Sequence, residues 1–303
     1  MPQYIVFDVG GTNLKYALMN ENAEILAKGE FPTPMDKGKE GFLEAVKAVY
    51  DKYADKAEAI AMSAPGKIDS SRGYFYTSGA LKYLNGVDLP AELKKFVPLP
   101  VSVENDGKSA ALAELWKGSL QGVSNGVVIV LGTGIGGGII IDGKLYRGHT
   151  FAAGEFSGLP VHLDEFPMNL GHMWATQNGV GYMAADYAER IGADPAKMNG
   201  RILFDAANKG DQNALGAIDH YCEGLAAGIV SLQFVLDTEK VAIGGGISKQ
   251  PLLLETLQKK LHEYYDKYAG FMPATLPEVV SCTFGNDANL IGALYHYLYE
   301  LKK

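Results

Sequence analysis

The sequence predicts an α/β protein of two duplicated α/β domains around a cleft, on three observations. With 303 residues and a hydrophobic content of 47%, the chain has the length of two ordinary domains, each able to bury a core. Two stretches, YIVFDVGGTNLKYALMN and VLGTGIGGGIIIDGKLY, share one plan of strand, glycine turn and returning strand, and their glycines start 122 positions apart, at Gly10 and Gly132. Around them, apolar runs of strand length alternate with segments of helical period, the arrangement that layers helices on a sheet. A repeated unit of this kind suggests an internal duplication in which each half offers a backbone loop to one ligand lying between them.

Each element follows from its pattern. Residues 4–9 and 15–19 are strands joined by Gly10-Gly11-Thr12-Asn13, and 24–31 completes a meander. Phe42, Val46, Val49 and Tyr53 recur at helical spacing and predict an amphipathic helix. EAIAMSAPG reads as a buried strand ending in a loop. LPVSVENDGKSAALAELWKG reads as a strand running through Glu104-Asn105-Asp106 into an alanine-rich helix, placing a carboxylate at the strand-to-helix junction where open α/β sheets bind ligands. In the second half, Ile139-Ile140-Ile141 and Lys144-Leu145-Tyr146 flank a hairpin signal at Asp142-Gly143. Residues 150–181 predict an irregular loop region, and 181–191, 200–209, 211–236 and 251–268 predict helices. KVAIGGGIS and PEVVSCTF are strands, and GNDANLIGALYHYLYE is a terminal helix that Asn286 or Asp287 can cap. The domain join falls near 118–125, giving an N-terminal domain of 1–118, a C-terminal domain of 119–286, and a terminal helix over 287–303 that crosses back to the first domain.

A net charge of −8 with a pI near 5.3 argues against nucleic acid or a membrane surface as partner, since either needs a basic face. No apolar run reaches 18 residues, and MPQYIVFDVGG lacks the basic start and cleavage site of a signal peptide, so a cytoplasmic protein is expected. Cys222 and Cys282 are far apart and outside any CxxC, which predicts buried apolar residues rather than a disulfide or zinc site.

Phosphate binding would then be local. No GxxxxGK[ST] occurs, and Gly132-x-Gly134-x-x-Gly137 leads into a strand instead of a helix, so neither a P-loop nor a dinucleotide fingerprint fits. The alternative is a clamp of two glycine hairpins on the β- and γ-phosphates, Gly10, Gly11 and Thr12 on one side and Gly132, Thr133 and Gly134 on the other, with Thr12, Asn13 and Lys15 as further donors. Gly244, Gly245 and Gly246 offer a third close approach, suited to an adenosine, or form a plain turn. Asp8, closing the first strand, could hold Mg²⁺ directly or through water, or stabilise its own turn. Asp106 is the candidate general base, and Glu104-Asn105-Asp106 can also cap the following helix. Glu155, in a loop of small residues, suits hydrogen bonds from sugar hydroxyls. Tyr83 and Trp174 could stack on a sugar or pack in the core. His162, Asp164, Glu165 and His172 have neither cysteine neighbours nor helical HxxxH spacing, so surface roles are expected of them rather than a metal site.

Taken together, FDVGGTNLKYAL, SAPGKID, LPVSVENDGKSAALAE, VLGTGIGGGIIIDGKLYRG, AGEF, AIGGG and GNDANLIGA resemble, in order and spacing across nearly the whole chain, the ROK family of sugar kinases. The resemblance implies the actin-like ATPase (ribonuclease H-like) fold, ATP and Mg²⁺, and transfer of the γ-phosphate to a sugar hydroxyl. It implies that Asp106 is the catalytic base and that Asn105 and Glu155 hold the sugar, helped by the loops around Pro65-Gly66 and Ser78-Gly79. It also implies a homodimer. Where most members follow the AGE glutamate with Gly-His and a CxCGxxGC zinc motif, this chain reads AGEFSGLPVHLDEFPMNLGHMWATQNG, so structural zinc is not expected and the sugar site is altered. The sequence looks most like the zinc-lacking branch that includes bacterial β-glucoside kinases, which act on the 6-hydroxyl of a glucosyl unit. A sugar-sensing repressor from the same family and a non-catalytic actin-like ATP switch are the alternatives. Those repressors carry an N-terminal helix-turn-helix, whereas here the fold starts at residue 4, and the intact END motif speaks against a bare switch.

Overall fold

The computed structural model describes residues 1–161, 169–271 and 273–302. By its contacts the chain forms two units. Unit 1 is Met1–Gln121 with Leu145–Ala153 and Asn286–Lys303, and unit 2 is Gly122–Lys144 with Gly154–Gly285. His162, Asp164 and Glu165 lie outside the described residues.

Unit 1 opens with a meander, β1 (Gln3–Val9), β2 (Asn13–Asn20) and β3 (Ile25–Pro32). The glycine turn is too short for a crossover, so β1 and β2 are antiparallel, with Val9 opposite Leu14 and Asp8 opposite Lys15. Helix α1 (Gly38–Tyr53) buries Phe42, Val46, Val49 and Tyr53 and returns the chain so that β4 (Ala57–Ala64) runs parallel to β1. A small hairpin, β5 (Ile68–Asp69) and β6 (Tyr74–Phe75), and the short helix α2 (Leu89–Leu93) lead into β7 (Val101–Asn105), parallel to β4. Helix α3 (Asp106–Lys117) begins at the next residue. The order β3-β2-β1-β4-β7 sets the carboxyl ends of three parallel strands side by side, Ser63 opposite Asp8 and Ala64 opposite Asn105.

Unit 2 repeats the plan. Strands β8 (Gly126–Leu131), β9 (Ile135–Ile141) and β10 (Lys144–Tyr146), the last of which runs across the boundary between the units at Lys144, form the meander, and Asp142 and Gly143 take the positive φ angles, 53° and 69°, of a tight hairpin turn. Helices α4 (Trp174–Asn178), α5 (Val180–Arg190), α6 (Gly200–Ala207) and α7 (Gln212–Leu236) follow. Then come β11 (Lys240–Gly245), α8 (Pro251–Lys267) and β12 (Glu278–Ser281). The order β10-β9-β8-β11-β12, with β11 parallel to β8 and β12, matches that of the first sheet strand for strand. Helix α9 (Ala288–Tyr295) belongs to unit 1 and continues as a wider turn over His296–Leu301.

Two local expectations are corrected. The stretch 150–181, expected to be irregular, contains α4 and single helical turns at Phe156–Gly158 and Leu170–His172; segments of three to five residues are too short to show a period. At the start of α9 the Asp287 side chain makes no capping bond and instead pairs with Lys28 at 3.9 Å. Cys222 and Cys282 are both buried, and neither is in a disulfide. Burial pushes the Cys222 thiol up to about 12, so it behaves as an apolar residue. Among the described residues, no helix is long and apolar enough to cross a membrane.

Candidate active site

Asn105 ends β7 and is the N-cap of α3: its side-chain oxygen accepts from the Lys108 N–H at 3.0 Å, while its amide donates to the Gly66 carbonyl at 2.9 Å. Both ends of one buried side chain are thereby fixed, and the bend they hold places Asp106, partly exposed, on the first residue of the helix. The Gly107 N–H donates to Asp106 Oδ1 at 2.8 Å. A carboxylate there also faces the positive end of the helix dipole. Gly66 cannot be replaced without strain: its φ is +107°, and a Cβ would lie 2.2 Å from the Thr77 carbonyl oxygen. Gly66→Ala is expected to lose about 1–2 kcal/mol for the left-handed backbone alone, and more for the clash. A thermal melt will read it as a lowered midpoint.

Asp8 lies one residue from the end of β1 with its side chain 13% exposed. Asn289 of α9 donates to Oδ1 at 2.9 Å, and Lys15 Nζ stands 3.7 Å from Oδ2. Burial pushes the Asp8 carboxyl above the usual range, against the pull of Asn289 and Lys15. One oxygen thus accepts from a neutral donor while the other faces the Lys15 ammonium at 3.7 Å, an oxygen donor set that suits a hard, hydrated cation such as Mg²⁺. Lys15 serves Asp8 first, and Asn289 is a site residue that carried no sequence signal beyond its place in GNDANLIGA.

The two glycine turns hold the same place in their units, between the first and second strands, but differ in span, with four residues in the first and three in the second. The Gly10 N–H donates to the Asn13 carbonyl at 3.0 Å, the Gly132 N–H to the Gly134 carbonyl at 3.0 Å, and each turn leaves a Gly-Thr pair exposed, Gly11-Thr12 and Thr133 beside Gly132. Carbonyls of the first turn are held by Thr33, whose hydroxyl donates to Gly10 and whose N–H donates to Thr12. Gly244 and Gly245 answer to the fold itself. Gly245 has φ +96°, and a Cβ there would lie 2.0 Å from the Leu131 carbonyl of the neighbouring strand, whereas Gly246 faces open space.

Other candidates separate clearly. Glu155 is exposed in unit 2. Ser78 is fully buried, and its hydroxyl bonds to the Leu81 carbonyl and to Asn85 within its own loop, so it shapes the loop and has no hydroxyl to offer a sugar. Gly79 beside it is exposed, with φ +56°. Trp174 is wholly buried, edge-on to Phe156 at 6.1 Å, and Tyr83 packs on Phe42 at 6.4 Å, which makes both core residues. His172 closes the turn that Asn169 caps.

A charged network that the sequence did not announce lies behind the END bend. Glu104 is fully buried, and one of its oxygens accepts from the Asn105 N–H at 2.8 Å. The other accepts from Arg147 Nε at 2.8 Å, and the same guanidinium reaches Glu300. His296 places Nδ1 2.6 Å from Glu300 and Nε2 3.2 Å from the Ser70 carbonyl. Burial works against the charge on Arg147, but Glu104 and Glu300 raise its grip on the proton above the ordinary. Burial likewise opposes ionisation of Glu300, which His296 and Arg147 more than offset. Glu104, His296 and Glu300 could group around a metal ion, but the guanidinium already supplies the cation.

The chain belongs to the ROK family, whose sequence profile matches residues 4–299. It is 32% identical over 310 residues to a glucokinase of Halalkalibacterium halodurans, covering 95% of this chain and 93% of that one. It is 32% identical over 294 residues to a β-glucoside kinase of Klebsiella pneumoniae, covering 96% and 94%. Among solved structures, a ROK family glucokinase from Streptomyces griseus in complex with glucose and AMPPNP superimposes with a TM-score of 0.81 at 26% identity, over 96% of this chain and 98% of that one. The fold is therefore the actin-like ATPase fold that the duplicated sheets already suggest.

Proposed function

We propose that the chain is an ATP- and Mg²⁺-dependent sugar kinase that transfers the γ-phosphate to the 6-hydroxyl of a hexose or β-glucoside. The observation that carries this reading is the END bend: Asn105, locked at both ends, aims one partly exposed carboxylate from the first residue of α3. Phosphoryl transfer asks the protein for positioning, charge neutralisation and one acceptor for the alcohol proton. Asp106 takes that proton as the sugar oxygen bonds to the γ-phosphorus and the bond to the ADP oxygen breaks. Asn105, Glu155 and the backbone at Gly66 and Gly79 orient the sugar. The backbone of the two glycine turns, Gly10, Gly11 and Thr12 in one and Gly132, Thr133 and Gly134 in the other, meets phosphate oxygens, with the Gly10 and Gly132 N–H groups closing the turns themselves, Asn13 and Lys15 as further donors and Gly246 leaving room for the adenosine. Asp8 would hold the metal through water, and the ion would neutralise phosphate charge when bound. The relatives named glucokinase and β-glucoside kinase, and the solved relative with glucose and AMPPNP, support the substrate pair. A homodimer in the cytoplasm completes the reading.

A coupled ADP-release assay over glucose, mannose, fructose, N-acetyl sugars, cellobiose and gentiobiose tests it. ADP release that requires one of the sugars, with phosphate recovered on a primary hydroxyl, is expected. Release independent of every sugar would favour the ATP-switch alternative and remove the kinase reading.

A further inference from the structure

Next to the END bend, unit 1 carries an aromatic surface that neither the core nor the proposed chemistry uses. Gly66, bonded to Asn105, is followed by Lys67, whose carbonyl accepts from the Tyr76 and Thr77 N–H groups at 2.9 and 3.3 Å. Tyr76 is therefore one rung away from the residue that fixes Asn105. Its side chain is 47% exposed. It meets Tyr74 edge-on at 5.2 Å and Phe151 in a stacked arrangement, with centroids 6.5 Å apart and planes inclined by 28°. The Lys67 ammonium lies 4.9 Å from the Tyr76 ring centroid.

Phe151 is held in place at a price. Its φ is +63°, a left-handed conformation that disfavours an aromatic residue and that glycine would adopt freely. The loop bearing it is closed at its base by the Ala153 N–H donating to the Arg147 carbonyl at 3.2 Å. Arg147 itself is anchored on buried Glu104, the neighbour of Asn105. A buried charge network, a closed loop and a strained backbone thus combine to hold one partly exposed ring beside Tyr76. Folding alone has no use for that ring, and strain retained in this way points to a ligand.

We propose that Tyr76 and Phe151 form a shelf for the second ring of a disaccharide substrate, the aglycone side of a β-glucoside. This rests on the kinase reading above. The surface that the Tyr76–Phe151 stack leaves exposed offers apolar ring to the axial C–H groups of a pyranose, and Lys67 offers N–H donors to its hydroxyls. A monosaccharide held by Asn105 has no second ring to reach the shelf, so the shelf separates disaccharide from monosaccharide.

The test compares kcat/KM for glucose and cellobiose in the wild type, Tyr76→Ser and Phe151→Gly, with calorimetric binding of cellobiose in the absence of nucleotide. Phe151→Gly removes the ring while relieving its backbone, so this variant keeps its melting temperature. Both variants are expected to lose about tenfold in kcat/KM and in affinity for cellobiose, the size of one aromatic contact, while kcat/KM for glucose stays within about twofold. Equal losses for both sugars, no loss for cellobiose, or a wild type that phosphorylates glucose but not cellobiose would each overturn the shelf. A wild type that phosphorylates no sugar overturns the kinase reading instead. The shelf is then judged by the binding measurement, standing if the variants weaken cellobiose binding and falling if they do not.

Discussion

Asp106→Asn is expected to lower kcat by about 10²- to 10⁴-fold, with KM for sugar and nucleotide little changed and the melting temperature nearly kept. The substitution is matched in shape. An asparagine oxygen can still accept from the Gly107 N–H that now bonds to Oδ1 at 2.8 Å, and Asn105, not Asp106, caps the helix. What is lost is a proton acceptor and one negative charge facing the N-terminus of α3, the latter worth about 0.3–1 kcal/mol. A fall confined to kcat assigns the lost interaction to the transition state rather than to substrate binding. Steady-state kinetics on the best sugar decide the matter, and wild-type turnover in the variant would remove Asp106 from the role of base.

The sequence made the repeated architecture legible because glycine turns between apolar runs are local signals. Gly10 and Gly132 each open a turn whose geometry is set within a few residues, and the strands beside them follow by alternation and length. Asn105 and Asp106 were legible for the same reason, since a strand running directly into a helix is written in consecutive residues. Partners remote in sequence were not. Asn289 reaches Asp8 across 281 positions and Arg147 reaches Glu104 across 43, and nothing in GNDANLIGA or KLYRG marks either as a partner. Ser78 is a related case: the resemblance pointed to the loop around Ser78-Gly79, but burial commits the Ser78 hydroxyl to Leu81 and Asn85. Phe151 gave no sign, because its left-handed backbone is imposed by the closure of the loop and not preferred by its type.

Removing the guanidinium of Arg147 should have the largest effect on stability of any single change at the site. Glu104 has no exposed side-chain surface, and Arg147 is 20% exposed. A carboxylate this deeply buried persists because Arg147 donates to one of its oxygens and the Asn105 N–H to the other. Without the arginine, Glu104 is left buried without its guanidinium partner, and breaking such a pair from one side typically costs about 3–5 kcal/mol. For units of this size that corresponds to a melting temperature lower by roughly 6–20 °C in Arg147→Ala. Glu300 does not rescue it, since it brings a second negative charge that Arg147 also balanced. Arg147→Met with Glu104→Gln should recover much of the loss, because neither charge is then left buried alone. Lysine is a poor substitute, as a single ammonium lacks the fork that serves two carboxylates at once. Calorimetric melts of the single and double variants read the coupling. An Arg147→Ala protein that melts within about 1 °C of the wild type would show that water reaches Glu104 and that the network does not hold the END bend.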